Sequence, residues 1–421
     1  MAIDTIGTNA IANDAVTAAK IPAGAVDADI TAIPDGSVTT AKIADNAVTS
    51  AKALNLGRRN LIINGDMQIW QRGTTSGALT HNTNIFHSAD RWSAVTDQND
   101  GSGTLTTTFS RDTDVPSTEA FPYSLKAVVN ASGRTPSGTD CTALFSQHIE
   151  TYNANPLGWG TASAKSATLS YWIKSSVAGT GTLQIRLHDS NQVNGVADGQ
   201  LYTKFTINQA NTWEKKTHLI PANATDGWRR NVSENALQIY WFFGSEQAAA
   251  STQDAWFRQN NYGQRHSDMT LDFQTTGGTA YITGVQFEVG DIATPFEHRS
   301  YGDELLLCQR YYVQMCDSTS QSAIAYGRGA GGGQNVVSAA PIPVPLRASP
   351  TVITTSGAYH VSDHNSRVSA TPTSITPSGF NPLSTNLGLY FAFGTTVCDD
   401  DRVALVGGNG AVSIGIDSEL Q

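Results

Sequence analysis

The chain has 421 residues, enough for two or three domains at roughly 100–200 residues each. Charged residues make up 15%, against about 25% in ordinary soluble domains; Ser, Thr, Asn, Gly and Ala fill the gap, which favours turn-rich β architecture over long exposed helices. A net charge of −10 excludes a nucleic-acid binder, which needs a clustered basic surface, and no run of 18 apolar residues offers a transmembrane helix.

The first 53 residues hold three near-copies of one phrase: Asp14 to Ile21, Gly36 to Ile43 and Asn46 to Ala53, each in the frame x-x-Val-Thr-x-Ala-Lys. A degenerate relative runs from Gly24 to Ile30. Val16, Ile21, Val26, Val38, Ile43 and Val48 are the apolar positions, broken by Pro22, Gly24, Pro34 and Gly36. One Val and one Ile per unit cannot close a core within one chain, so each unit must stack on something else. The arm, residues 1–56, reads as an assembly element. Its opening Met-Ala-Ile-Asp-Thr has no basic and apolar signal-peptide pattern.

After the repeats comes Gly57-Arg-Arg-Asn-Leu-Ile-Ile-Asn-Gly-Asp-Met-Gln-Ile-Trp-Gln-Arg-Gly73. Further marks are Asp90-Arg-Trp92, Ile282-Thr-Gly-Val-Gln-Phe-Glu-Val-Gly290, Thr294-Pro-Phe-Glu-His-Arg299 and Glu304-Leu-Leu-Leu-Cys-Gln-Arg-Tyr-Tyr312. In this order they resemble bacteriophage tail-fibre and related virion-appendage proteins, in which a repetitive stalk leads into a β-sandwich like that of carbohydrate-binding modules. The resemblance implies a homotrimer in the virion, assembled in the bacterial cytoplasm. Its arm would dock onto tail or capsid proteins and its outer part would face a host surface glycan or envelope receptor. Tail fibre is the first expectation; a capsid fibre, spike or decoration protein is the second.

All eight tryptophans fall between residues 70 and 256, and no lysine follows Lys216. These breaks divide the chain into the arm, a middle domain at 57–302 and a C-terminal domain at 303–421. Ala167–Lys174, Gly181–His188, Leu237–Phe243 and Thr279–Val289 alternate or run apolar as strands do. Leu183, Ile185 and Leu187 share one face, and Trp172 and Trp241 read as core. Many short strands and a large aromatic core predict a jelly-roll-like sandwich, in an all-β chain overall.

Asp303–Tyr312 is the strongest helix pattern, with Asp303 as cap and Arg310 near the far end, connecting the two β-domains. Beyond it lie the loop Gly327–Gly333, the run Pro341-Ile-Pro-Val-Pro345, which suits an edge strand, and a strand at Gly388–Phe393.

Cys141, Cys308, Cys316 and Cys398 show no close pairing, so free, mostly buried thiols are expected. His360 and His364, four apart in strand or loop text, lie about 13 Å apart and cannot share an ion within one chain. Asp399-Asp400-Asp401 reads as a solvated turn. No cofactor is expected; by analogy with carbohydrate-binding modules, a structural calcium would take Asn64, Asp66 and Glu288 as donors. Glycan cleavage needs two opposed carboxylates roughly 5–10 Å apart, and nothing in the spacing pairs Asp140, Glu150 or Asp254. A binder is therefore expected, with a polysaccharide depolymerase as the enzymatic alternative. Saccharides stack on exposed rings, and the aromatic residues in polar text, Trp228, Trp256 and Tyr262, with Arg229, are the expected glycan contacts.

Overall fold

In chain order the first strands are β1 (Thr75–Thr80), β2 (Thr83–Ile85), β3 (Trp92–Asp97), β4 (Leu105–Asp112), β5 (Ser124–Ser132), β6 (Cys141–Glu150) and β7 (Ala167–Ser175). They continue as β8 (Gly179–Leu187), β9 (Gly199–Ile207), β10 (Glu214–Ile220), β11 (Asn235–Ser245), β12 (Phe257–Arg258) and β13 (Thr279–Val289). A single helical turn, α1 (Thr151–Ala154), follows β6. The structure is a computed structural model. It describes residues 58–419 apart from 81–82, 86–88, 98–104, 133–140, 188–198, 229–234, 246–247, 259–263, 273–276, 317–322, 355–358, 363–366, 380, 382, 399–402 and 409–413. The repeat positions Val16, Ile21, Val26, Val38, Ile43 and Val48 lie outside the described residues.

Two sheets make the sandwich. One has six strands in the order β1-β4-β5-β13-β7-β10, the other seven in the order β12-β9-β8-β11-β6-β3-β2. Every ladder between these strands is antiparallel. Side chains alternate as the sequence pattern requires: Leu169, Tyr171 and Ile173 of β7 face Leu183, Ile185, Ile239 and Trp241 across the core. Tyr171 meets Trp241 edge to face at 5.4 Å, which puts the two sheets in contact at the centre. Trp241 is core, as expected; Trp172, on the opposite parity of β7, is half-buried and points away from it.

The expected helix forms, shifted by two residues, as α2 (Tyr301–Gln309). Ser300, not Asp303, is its cap: the Ser300 hydroxyl accepts the Asp303 N–H at 3.2 Å, and Asp303 sits in the first turn. Ser300 caps because it is the extended residue just before the first turn, with its oxygen in reach of the third amide, whereas Asp303 already lies inside the helix. Buried Cys308 of α2 packs with Ile63, Ile69 and Tyr311 in a small cluster of its own.

After α2 come β14 (Tyr312–Cys316), β15 (Ala323–Ala330), β16 (Asn335–Pro341), β17 (Thr351–Thr354), β18 (Tyr359–Ser362) and β19 (Arg367–Ala370). The last four are β20 (Pro372–Pro377), β21 (Asn386–Phe393), β22 (Val403–Gly408) and β23 (Ile414–Asp417). A seven-stranded sheet, β19-β18-β22-β15-β16-β21-β20, lies with a three-stranded one, β14-β23-β17. Val336, Val361, Leu389, Phe391 and Val406 of the first pack with Val313, Ile414 and Ile416 of the second in a separate core.

Two expectations here need correction. Gly327–Gly333 is not all loop: Gly327–Ala330 belongs to β15, and only the residues from Gly331 turn. Gly331, Gly332 and Gly333 all have positive φ, a path that a side chain would strain. Nor is 341–345 an edge strand, because Pro341 ends the central strand β16, in register with Asn386. The proline rule acts one hairpin later: β20, with Pro372 and Pro377 at its ends, is the true sheet edge.

Candidate functional site

The motif segments that carry the resemblance converge on one buried network. The Glu297 carboxylate accepts the backbone N–H groups of Arg59 at 3.1 Å and Asn60 at 2.7 Å. Asn60 donates to the Val285 carbonyl and accepts the Phe287 N–H, both at 3.0 Å. Asn64 spans Ile69 and the Asp90 carbonyl, while the Trp92 indole donates to the Asn64 carbonyl at 2.9 Å. Arg299 holds the Ile62 carbonyl and the Glu304 carboxylate. These residues clamp an irregular segment in which side chains take the amides of Arg59, Asn60, Ile62, Ile63 and Ile69 and strand β13 takes that of Leu61, since buried backbone groups must be paired.

That clamp also occupies the expected calcium donors. Both polar atoms of the Asn64 side chain are bonded as above. The Glu288 carboxylate accepts from Gln286 Nε2, from the Thr294 N–H and from Thr294 Oγ1, at 2.7–2.9 Å. Asp66 is buried and accepts from Gln68 Nε2 at 2.7 Å. Burial, with repulsion from Glu304, pushes its carboxyl up to about 6. Among the described residues no group of three or more His, Cys, Asp and Glu side chains is placed to hold an ion. His360, on strand β18, is bonded to Ser369 Oγ at 2.8 Å; His364 and Asp399 to Asp401 lie outside the described residues.

Of the expected glycan contacts, Arg229 and Tyr262 lie outside the described residues. Trp228 is only 8% exposed and belongs to the sandwich core, against the expectation of an open ring. Its ring packs edge-on to the fully buried Trp159 at 6.2 Å, and its Nε1 donates to Asn155 Oδ1. Trp256 is half-buried, 5.2 Å from Trp159, with Nε1 donating to the Pro221 carbonyl at 2.8 Å. Trp228 and Trp256 thus both pack on Trp159 as part of the sandwich core. Polar flanking sequence marked the loops correctly but not the direction of the rings.

A polar array lies on the side of the seven-stranded sheet turned from the core, and most of it is buried: Gln184, Gln200, Tyr202, His148, Gln238 and Tyr240 are each at most 4% exposed. Register places His148, Gln238, Arg186 and Gln200 in one cross-strand row, and Ser93, Ser146, Tyr240, Gln184 and Tyr202 in the next. Gln184 Nε2 donates to Gln200 Oε1 at 2.9 Å and to the Tyr202 hydroxyl at 2.8 Å. Arg186 donates to Gln238 Oε1, and His148 lies within 3.4 Å of both Asn235 Nδ2 and the Tyr240 hydroxyl. The ring of Phe257 stands 5.8 Å from that of Tyr202. Part of the face is roofed: His266 donates its N–H to Thr182 Oγ1, and Asp254 donates its N–H to the Tyr202 carbonyl. Arg186 is the half-buried member of the row.

Two buried acceptors in this array, Gln184 Oε1 and Asn235 Oδ1, have no hydrogen-bond donor. Leaving such a group unmade costs about 1–3 kcal/mol each, and both lie beneath the surface. Of the carboxylates considered for cleavage, Glu150 is held by Arg310 and the Tyr311 hydroxyl at 2.6–2.9 Å. Asp254 accepts from Thr203 Oγ1, and Asp140 lies outside the described residues. The sequence did contain a signal for this face. The positions between Leu183, Ile185 and Leu187 are Gln184 and Arg186, which the same alternation sets on the face opposite the core.

No protein-family model matches the sequence, and no curated protein matches it. Solved structures resemble part of it. A candidate sugar-binding protein from Bacteroides thetaiotaomicron is 13% identical, covers 55% of this chain and 100% of its own, and has a TM-score of 0.27. A family 11 carbohydrate-binding module from Clostridium thermocellum, solved with a mixed-linked tetrasaccharide, is 10% identical over 52% of this chain and 98% of its own, at 0.25. The CBM22-1 xylan-binding domain from Paenibacillus barcinonensis is 8% identical over 52% and 97%, at 0.23.

Proposed function

We propose that this protein is a non-catalytic, glycan-binding appendage of a bacteriophage particle: a homotrimeric tail fibre held to the virion by its repetitive arm. The observation that carries the binding role is the cross-strand array of Gln184, Gln200, Gln238, His148, Tyr202 and Tyr240, a hydrogen-bonded polar layer that reaches solvent at half-buried Arg186. Amides, an imidazole and phenols that fix orientation beside aromatic rings suit a polyhydroxylated ligand. Such binding calls for no cofactor and no acid–base pair. The anchoring role rests on the Val-Thr-x-Ala-Lys repeats, which need partner chains to bury their apolar positions. Weak binding per subunit is enough, because several copies per particle multiply it through effective concentration.

The test is binding of the full chain to immobilised lipopolysaccharide and capsular polysaccharides from a panel of bacteria. Gln238→Ala and Arg186→Ala are expected to weaken the positive interaction at least tenfold while the thermal midpoint stays near that of the unaltered protein. Unchanged affinity in both variants, or release of oligosaccharide during incubation, would overturn the reading.

A further inference from the structure

The opposite sheet carries a second aromatic surface. Tyr171 and Ile173 of β7 point into the core, so Trp172 and Lys174 between and beyond them point outward. Register aligns Lys215, Trp172 and Thr283 in one cross-strand row, and Lys174, Tyr281 and Lys126 in the adjacent one. Trp213, one residue before β10, extends that second row. Its ring lies 6.1 Å from that of Tyr281. Three half-buried rings, Trp172, Trp213 and Tyr281, therefore share the solvent side of the six-stranded sheet.

Their neighbours fix them in place without hiding them. Asp114 accepts the Trp213 indole N–H at 2.9 Å and pairs with Lys174. The Lys174 ammonium lies 4.2 Å from the Tyr281 centroid and 5.3 Å from that of Trp213, and Lys126 stands 5.3 Å from Tyr281 on the other side. Each lysine has its own carboxylate: Lys126 with Asp112 at 3.0 Å, Lys174 with Asp114, and Lys215 with Glu119 at 4.0 Å. The cluster is thus charge-balanced, with ammonium donors and carboxylate acceptors set around ring faces. Asp114 and Lys215 keep 44% and 41% of their side-chain surface in water.

We propose that the outer face of the six-stranded sheet, centred on Trp172, Trp213 and Tyr281, is a second saccharide-binding platform that takes a neutral oligosaccharide. Axial C–H groups of a sugar ring stack on fixed aromatic faces, as apolar edges do on any π surface. The flanking lysines and aspartates supply donors and acceptors for equatorial hydroxyls at no further conformational cost, since ion pairs already hold them. Balanced charge removes the attraction that would favour a uronic or sialic acid polymer. The rings span adjacent strands, about 4.8 Å apart, which extends the platform across more than one sugar unit. This platform does not depend on the polar face of the other sheet.

The experiment uses the full chain and soluble neutral glucan, xylan, mannan and galactan oligosaccharides, with an acidic polysaccharide alongside. The expected result is a saturable change in tryptophan fluorescence with a neutral sugar, and protection of tryptophan from acrylamide quenching. Trp172→Ala and Trp213→Ala should each weaken that response at least tenfold, while Tyr326→Ala, at an exposed ring of strand β15 outside both sites, leaves it unchanged. Failure of the polar-face site alone would instead appear as lost binding to a surface polysaccharide with the fluorescence response intact. The proposal is overturned if saturating neutral sugar gives no protection in the unaltered protein, a result independent of whether any variant folds. Preference for the acidic polymer would also overturn it, as would folded variants whose only defect is loss of self-association.

Discussion

Burial decides the behaviour of Asp66 more than its sequence neighbours do. Loss of water, then repulsion from Glu304, lifts its carboxyl from 3.8 to about 6. The native state thus holds this proton more tightly than the unfolded chain. The resulting stabilisation is fully present below about pH 4 and is lost as pH rises through 6. A gap of this size corresponds to about 3 kcal/mol. Asp66→Asn keeps an acceptor for Gln68 and removes the charge. Relative to the unaltered protein it should gain on the order of 2–3 kcal/mol between pH 4 and pH 8 in urea unfolding, close to that linkage ceiling. A stability difference that stays flat with pH would show the carboxyl to be solvated. At this scale the sequence was half legible. Alternation identified Trp241 as core, but the same reasoning mistook Trp172, because a strand flanked by apolar residues on both sides hides which parity faces out. Trp228 failed in the other direction, since polar text around a ring says nothing about where its side chain turns.

At the scale of elements, periodicity read well wherever strands alternate on a core. β7, β8, β11, β13 and β21 all lie where the pattern placed them, within a few residues. Boundaries set by caps and turns were less legible, since they depend on one atom and not on a period. Helix α2 illustrates this: the acid at Asp303 drew attention, yet the Ser300 oxygen receives the amide, and the Ser300 hydroxyl itself donates to the Asp303 carboxylate at 2.6 Å. Ser300→Ala should therefore cost about 1 kcal/mol, whereas Ser300→Asn should cost a few tenths at most, read by urea denaturation. Equal losses in the two variants would mean that the serine acts elsewhere than as a cap. The same cap orients Glu304, whose carboxylate holds Arg299, so a local change at position 300 reaches the buried clamp.

On the scale of the whole molecule, residues from Leu56 onward form one unit built on two separate cores. The joint between them is ionic and aromatic. Arg91, fully buried, pairs with Glu419 and lies 3.6 Å over the Tyr311 ring. Arg72 pairs with Asp417 at 3.2 Å and Glu419 at 3.4 Å, and lies 3.7 Å over Tyr312. Arg347 donates to the Ser418 and Glu419 carbonyls, and Arg310 to Glu150. Arg91 and Glu419 are 328 positions apart, and no local spacing announces such a pair, which is why sequence reasoning passed over it. A buried ion pair adds little net stability compared with an apolar pair of the same shape, but removing one partner strands the other charge, at about 3–5 kcal/mol. Glu419→Gln leaves Arg91 in that position, while Arg72 keeps its pair with Asp417. It should lower unfolding free energy by about 3 kcal/mol, and it should separate one cooperative transition into two as the cores uncouple. Adding Arg91→Met removes the stranded charge, so the double variant should recover part of the loss, giving a coupling energy above about 1 kcal/mol in a double-mutant cycle. Additive losses, or a Glu419→Gln variant within about 0.5 kcal/mol of the unaltered protein, would show that the apolar and cation–π contacts alone hold the two cores together.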